Sequence, residues 1–116
     1  MTYNKQIATT ILQQLGGNRF IAFTGAKEFL AIDNGLQFKI GRNASKANRI
    51  KITLNGSDLY DMEFIQYRPF SIKVDHKRGE VKTIEEKSET VRTYNDIYFD
   101  QLQDLFTETT GLYTHF

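Results

Sequence analysis

Three carboxylates stand close together in the middle of the chain: Asp58, Asp61 and Glu63. Asp61 and Glu63 are two residues apart, so on a strand both point to one face. Paired carboxylates in that setting can hold Mg²⁺ for nuclease chemistry. Such a centre also needs a further carboxylate and a lysine or water-orienting group. None stands at a matching position, so a solvated strand face is the plainer account and no metal is expected. Two histidines complete the titratable set. His76 sits among Asp75, Lys77 and Arg78, and His115 is next to the last residue. Neither has a motif neighbour, so both read as surface residues. The absence of cysteine excludes disulfides, thiolate zinc sites and thiol nucleophiles. Gly16-Gly17-Asn18-Arg19 and Thr24-Gly25-Ala26-Lys27 do not match a phosphate-cradling loop opening a helix, and read as turns. No catalytic residue and no cofactor is expected, and the chain is read as non-enzymatic.

Charge distribution says more than single residues do. The formal net charge is only +1, from 15 Lys+Arg against 14 Asp+Glu. Residues 1–58 nevertheless hold eight basic and three acidic side chains, and residues 59–116 hold seven and eleven. No acidic residue occurs over 34–57, where Lys39, Arg42, Lys46, Arg49 and Lys51 all lie. Lys39, Arg49 and Lys51 fall at outward strand positions, with Arg42 and Lys46 in the loop between. One contiguous patch of this kind can neutralise nucleic-acid phosphates. The competing reading is an ordinary solvent face guarded from aggregation by its lysines.

Asp96, Asp100, Asp104 and Glu108 recur every four residues near the C-terminus. On one helix they would drift across about a third of its circumference, opposite an apolar stripe. Like charges at this spacing cost a few tenths of a kcal/mol each. The ridge therefore reads either as a solvated face or as a surface for a cationic protein, including a mimic of a phosphate backbone. That makes a host or phage protein the alternative partner to nucleic acid.

At 116 residues, with 40% apolar and 25% charged side chains, six tyrosines and nine phenylalanines, the chain has the composition of one folded domain over 1–116. No stretch approaches the ~20 apolar residues of a membrane span, so no membrane partner is expected. Met1-Thr2-Tyr3-Asn4-Lys5 lacks the basic-then-apolar run of a secretion signal, which points to the cytoplasm.

The elements that must position these groups follow from periodicity. Residues 4–15 place Ile7, Ala8, Ile11, Leu12 and Leu15 on one helical face, with Thr2 or Asn4 as cap and Gly16-Gly17 as stop. Arg19-Phe20-Ile21-Ala22-Phe23 is short, aromatic and apolar on both faces and reads as a strand covered on both sides. Residues 29–40 read as a hairpin whose three-residue loop, Asp33-Asn34-Gly35, pairs Ile32 with Leu36 and Leu30 with Phe38.

Residues 49–54 alternate cleanly, with Ile50, Ile52 and Leu54 inward. Asn55 to Asp58 form a turn. Residues 59–67 follow as a strand with Tyr60, Met62 and Phe64 inward. Pro69 should end that pairing, after which Phe70, Ile72 and Val74 alternate again. Residues 81–91 read as either a last strand or a solvated loop. Residues 96–110 read as a helix with Tyr98, Phe99, Leu102, Leu105 and Phe106 beneath, capped by Thr93 or Asn95 and stopped by Gly111. The aromatic tail should pack back on the fold. The expected architecture is α+β: an N-terminal helix, an antiparallel sheet of five or six strands, and a C-terminal amphipathic helix packed on the sheet. A long antiparallel edge would also allow a homodimer.

Three strings carry a resemblance: Leu15-Gly16-Gly17-Asn18-Arg19-Phe20-Ile21-Ala22-Phe23-Thr24-Gly25-Ala26-Lys27 with Phe29; Ile50 to Asn55 with Leu59 to Phe64; and Leu102-Gln103-Asp104-Leu105-Phe106-Thr107 running to Thr110-Gly111-Leu112-Tyr113-Thr114. On these the chain resembles a family of small uncharacterised proteins of bacteriophages, prophages and related mobile elements. Residues 74–93 look longer and more charged than that pattern, as an insertion would. The resemblance transfers no activity and no site residue. It implies a context, the bacterial cytoplasm during phage or mobile-element life, in which small non-enzymatic accessory proteins are common.

Overall fold

The computed structural model describes residues 3–114. Met1, Thr2, His115 and Phe116 lie outside the described residues, and with them the readings of Thr2 as a cap, of the extreme N-terminus and of His115. The first helix, α1 (Tyr3–Leu15), buries Ile7, Ala8, Ile11 and Leu15, as the spacing requires. Asn4 does not cap it. Its side-chain amide donates to the Asp33 carboxylate at 3.0 Å, and its carbonyl oxygen accepts from the Asn34 N–H at 3.1 Å. The start of α1 is thereby fastened to the following hairpin turn.

Residues expected as a strand form a second short helix, α2 (Asn18–Thr24). Gly17 and Gly25 bracket it with positive φ angles, 60° and 70°, that glycine adopts freely. Phe20 and Thr24, four apart, take the buried face, and the Thr24 hydroxyl donates to the Phe20 carbonyl at 2.6 Å. Ala22 and Phe23 are exposed. Four apolar residues in a row suit two covered faces or one, and the glycines on either side decide for a short helix of about two turns with one covered face.

A five-stranded antiparallel sheet follows, in the order β1-β2-β3-β4-β7. Its strands are β1 (Lys27–Ile32), β2 (Gly35–Lys39), β3 (Arg49–Leu54), β4 (Tyr60–Arg68) and β7 (Lys87–Ile97). The first hairpin is tighter than expected. Ile32 pairs with Gly35, Ala31 with Leu36 and Leu30 with Gln37, leaving Asp33-Asn34 as a two-residue turn. Asn34 takes a φ of 58°, which asparagine tolerates, and its carbonyl accepts from the Leu54 N–H at 2.7 Å. Leu30 is consequently 56% exposed, while Leu36, Phe38 and Ile40 stay buried.

Ile50 and Ile52 on β3, and Tyr60, Met62 and Phe64 on β4, face the helices as their alternation required. Gly35 lets β2 approach β3 closely: a Cβ there would overlap the Ile52 carbonyl oxygen and stand 2.8 Å from Thr53 Cγ2.

Between β4 and β7 the chain leaves the sheet at Pro69 as a two-stranded arm, β5 (Ser71–Asp75) and β6 (Glu80–Ile84). Residues 81–91 are thus strand on both sides of a break, split between β6 and β7. Phe70, Ile72 and Val74 alternate as expected, yet they are exposed on the arm rather than buried in the sheet.

The C-terminal helix is shorter than its spacing suggested. A 3-10 turn (Phe99–Gln101) leads into α3 (Leu102–Thr110). Neither Thr93 nor Asn95 caps it, since both lie within β7. Instead the Tyr98 N–H donates to the Gln101 side-chain oxygen at 3.0 Å. Gly111 ends α3 in a left-handed conformation, as expected. Tyr98 and Phe99 are exposed, and Leu102 and Phe106 supply the buried stripe. Behind them Leu112 is half-buried and Thr114 is buried, so the described part of the tail does fold back.

Both long helices cover one face of the sheet around an aromatic cluster. Phe106 lies 5.0 Å from Phe20, 6.4 Å from Phe38 and 6.5 Å from Phe64 between ring centroids. The architecture is α+β, and no helix among the described residues is long and apolar enough to cross a membrane.

Candidate nucleic-acid interface

Helices cover only one face of the sheet, so the opposite face presents the alternate side chains of every strand. Cross-strand register decides which of them meet. Lys39 on β2 stands opposite Arg49 on β3 and also opposite Lys27 on β1. Three cations therefore form a row across three strands at one end of the sheet. Glu28 partly offsets the row: its carboxylate lies 2.7 Å from Lys39 Nζ, and that bond and charge hold the carboxyl below its ordinary pKa. The Arg49 guanidinium stacks 4.1 Å above the Tyr67 ring. The neighbouring Glu86 carboxylate, as hydrogen-bond acceptor and negative charge, together with desolvation, raises the Tyr67 phenol pKa.

The loop over 41–48 closes the same end, and its own sequence explains its shape. The Asn43 amide nitrogen donates to the Gly41 carbonyl at 2.8 Å and to the Ala47 carbonyl at 2.6 Å. Its side-chain oxygen accepts from the Ser45 N–H and hydroxyl. Lys46 takes a φ of 65° at the tip, Ala47 is buried as the anchor, and the Ala44 N–H donates to the Thr110 carbonyl at 3.0 Å.

Asn48 then acts as an extra strand partner. Its amide donates to the Tyr67 carbonyl at 2.7 Å, and its side-chain oxygen accepts from the Tyr67 N–H at 2.8 Å. Asn48→Ala should therefore lower unfolding free energy by about 1–2 kcal/mol, two modest hydrogen bonds' worth. Thermal denaturation checks this, and an unchanged melting temperature would contradict it.

Arg42 and Lys46 stand exposed on this braced loop. Three shallow hollows adjoin one another around it. One is lined by Lys27, Lys39, Arg49 and Tyr67, a second by Arg42 and Lys46, and a third by Lys46, Tyr67, Arg68, Lys87 and Glu89, whose carboxylate lies 3.8 Å from Lys87 Nζ. The structure thus brings together Lys39, Arg42, Lys46 and Arg49 of the predicted patch. Lys51 falls one row further along, in register opposite Glu63. Lys27, Arg68 and Lys87 join the cluster without having been anticipated. Arg68 and Lys87 are cross-strand partners at the far end of β4 and β7, a pairing that linear charge patterns do not reveal.

The acidic candidates are distributed differently from the expectation. Asp96 is not on the final helix. It sits at a bulge in β7 with a φ of 56°, a conformation no right-handed helix contains. Its carboxylate accepts from Asn55 Nδ2 at 2.9 Å, and its N–H donates to Asp61 Oδ1 at 3.1 Å. Asp100 lies in the 3-10 turn, so only Asp104 and Glu108 share the exposed face of α3. The four-residue ridge is halved.

Asp61 is likewise occupied, accepting also from Asn55 Nδ2 at 3.2 Å. Asp58 lies in the adjoining turn with a φ of 58°. Among the described residues no group of three or more metal-ligating side chains comes together. The open face therefore runs from cationic, at Lys27, Lys39 and Arg49, to anionic, at Asp61 and Asp96. Comparison with family models, curated proteins and solved structures finds no match to this chain.

Proposed function

We propose that this chain is a non-enzymatic accessory protein of a phage or mobile element that binds nucleic acid in the cytoplasm of its host. The surface that does so is the basic end of the sheet. One observation carries the reading. Residues far apart in sequence, Lys27, Lys39, Arg42, Lys46, Arg49 and Arg68, converge on three adjoining hollows, two of them lined by Tyr67. Gathering this many cations costs self-repulsion, which an anionic polymer relieves. Tyr67 with its stacked Arg49 adds a flat surface suited to sugar or base contact. The halved acidic ridge gives the alternative, a surface for a cationic protein, less to stand on.

Fluorescence anisotropy with labelled DNA and RNA oligonucleotides tests the proposal. Engagement of four or five phosphates predicts that log K falls with log salt at a slope of about −4. Absence of binding to either polymer at low salt would overturn it.

A further inference from the structure

We infer that the β5–β6 arm is a pairing element for a second copy of this chain. Two arms join antiparallel along the outer edges of β6, about a two-fold axis beside Val81, into one four-stranded sheet. This is independent of the proposed function and is measured without nucleic acid. An isolated two-stranded ribbon is marginal in water, and further strands with an apolar face are what stabilise it. The arm is such a ribbon. Ile72, Val74 and Val81 share one of its faces and, like the adjacent Phe70, are more than half exposed.

Charges on the other face identify the missing neighbour. Lys73 stands directly opposite Lys82, and Asp75 directly opposite Glu80. Both are like-charge pairs, which destabilise a hairpin. One row is therefore doubly positive and the next doubly negative, one on each side of the Val74–Val81 pair. A second arm rotated by half a turn brings its negative row level with the first arm's positive row. With the axis beside Val81, Lys82 of each copy faces Glu80 of the other, and the two Val81 side chains meet. Each row then runs Lys73, Lys82, then Glu80 and Asp75 of the partner subunit. A surface that complements itself in this way makes an isologous two-fold contact.

Two observations select the edge of β6 over that of β5. β6 leads into β7, the terminal strand of the sheet, whereas β5 continues from β4, which has β3 beside it. The Asp75 carboxylate on β5 already accepts from the Lys77 N–H at 3.0 Å and the Arg78 N–H at 3.3 Å. Among the described residues neither Glu80 nor Lys82 makes an ion pair, and both are exposed. Lysines alone would guard such an edge against pairing. Here the sign changes across Val81, which favours one register. Moving the axis by one residue either way would set Glu80 against Glu80 or Lys82 against Lys82.

Sedimentation over a range of protein concentrations tests the inference, using wild type, Glu80→Lys, Lys82→Glu and an equal mixture of the two variants. Wild type should form a dimer in a concentration-dependent way. Each variant alone sets like charges across the axis twice and should dimerise about tenfold more weakly. Within one arm both substitutions replace a like-charge pair by an opposite one, so neither unfolds the hairpin. The mixture should regain a dimer at least as tight as wild type, because lysines of one copy then face glutamates of the other. A wild type that stays monomeric, single variants that dimerise as well as wild type, or a mixture that stays monomeric would each overturn the inference. The chain has no cysteine, so a single introduced one reports contact between copies. Val81→Cys should form a disulfide-linked dimer on mild oxidation, and Leu30→Cys, similarly exposed, should not. Equal cross-linking at both positions, or none at Val81→Cys, would also overturn it.

Discussion

Replacing Phe106 with alanine should lower the unfolding free energy by about 3–5 kcal/mol, the range for deleting a buried aromatic ring. Phe106 is fully buried and holds three other elements through one ring. Phe20 of α2 meets it edge-on at 5.0 Å, and Phe38 of β2 and Phe64 of β4 lie within 6.5 Å. Removing it opens a cavity whose walls are themselves rings locked by their own contacts: Phe38 packs against Phe20 at 5.4 Å and Phe29 at 5.3 Å. Such a site collapses poorly, so the loss should sit in the upper part of the range. A small domain's whole stability is about 5–15 kcal/mol, so the variant should be partly unfolded at moderate temperature. Urea denaturation followed by circular dichroism measures it. A loss under about 1 kcal/mol would mean that α3 does not rest on the sheet through this ring.

Gly35→Ala should be nearly as damaging for a different reason. The position has no need of unusual backbone angles, yet its added methyl would overlap the Ile52 carbonyl and press on Thr53 Cγ2 at 2.8 Å. Those atoms belong to β3, which is paired on both sides and cannot retreat without stretching the ladder to β4. Overpacking of this kind costs about 1–3 kcal/mol, and more when backbone rather than a side-chain tip must move. The same denaturation experiment should show a lower midpoint with little change in slope. An unaltered midpoint would contradict the register of β2 against β3.

The register also explains what could be read from the sequence and what could not. Period-two alternation in Arg49–Leu54 and Tyr60–Arg68 placed Ile50, Ile52, Met62 and Phe64 correctly, because one face of each strand is buried and the other is not. Helical spacing did the same for α1. Residues 19–23 misled because they carry no period at all. Their helix is imposed by Gly17 and Gly25 and by burial of Phe20 and Thr24 on one face. Asp96 misled because four-residue spacing continues through a β-bulge as readily as through a helix. Its left-handed backbone, held by Asn55 and Asp61, is a tertiary fact.

The candidate site was half legible for the same reason. Lys39, Arg42, Lys46 and Arg49 are neighbours in sequence and form one stretch free of acidic residues. Lys27, Arg68 and Lys87 reach them only through strand pairing, which local patterns do not encode. The near-neutral net charge conceals this arrangement, in which Lys27, Lys39 and Arg49 stand at one end of the open face and Asp61 and Asp96 at the other.

The role of that basic end is tested most directly by a single comparison. Labelled DNA and RNA are titrated with wild type and with Arg42→Glu/Lys46→Glu over a range of salt concentrations. Both side chains are exposed on a loop braced by Asn43 and Asn48, so the fold should survive the exchange. Affinity should fall by at least about tenfold at 0.1 M salt, and the slope of log K against log salt should shrink by about 2. Equal affinity and equal slope for both proteins, on DNA and RNA alike, would contradict the assignment.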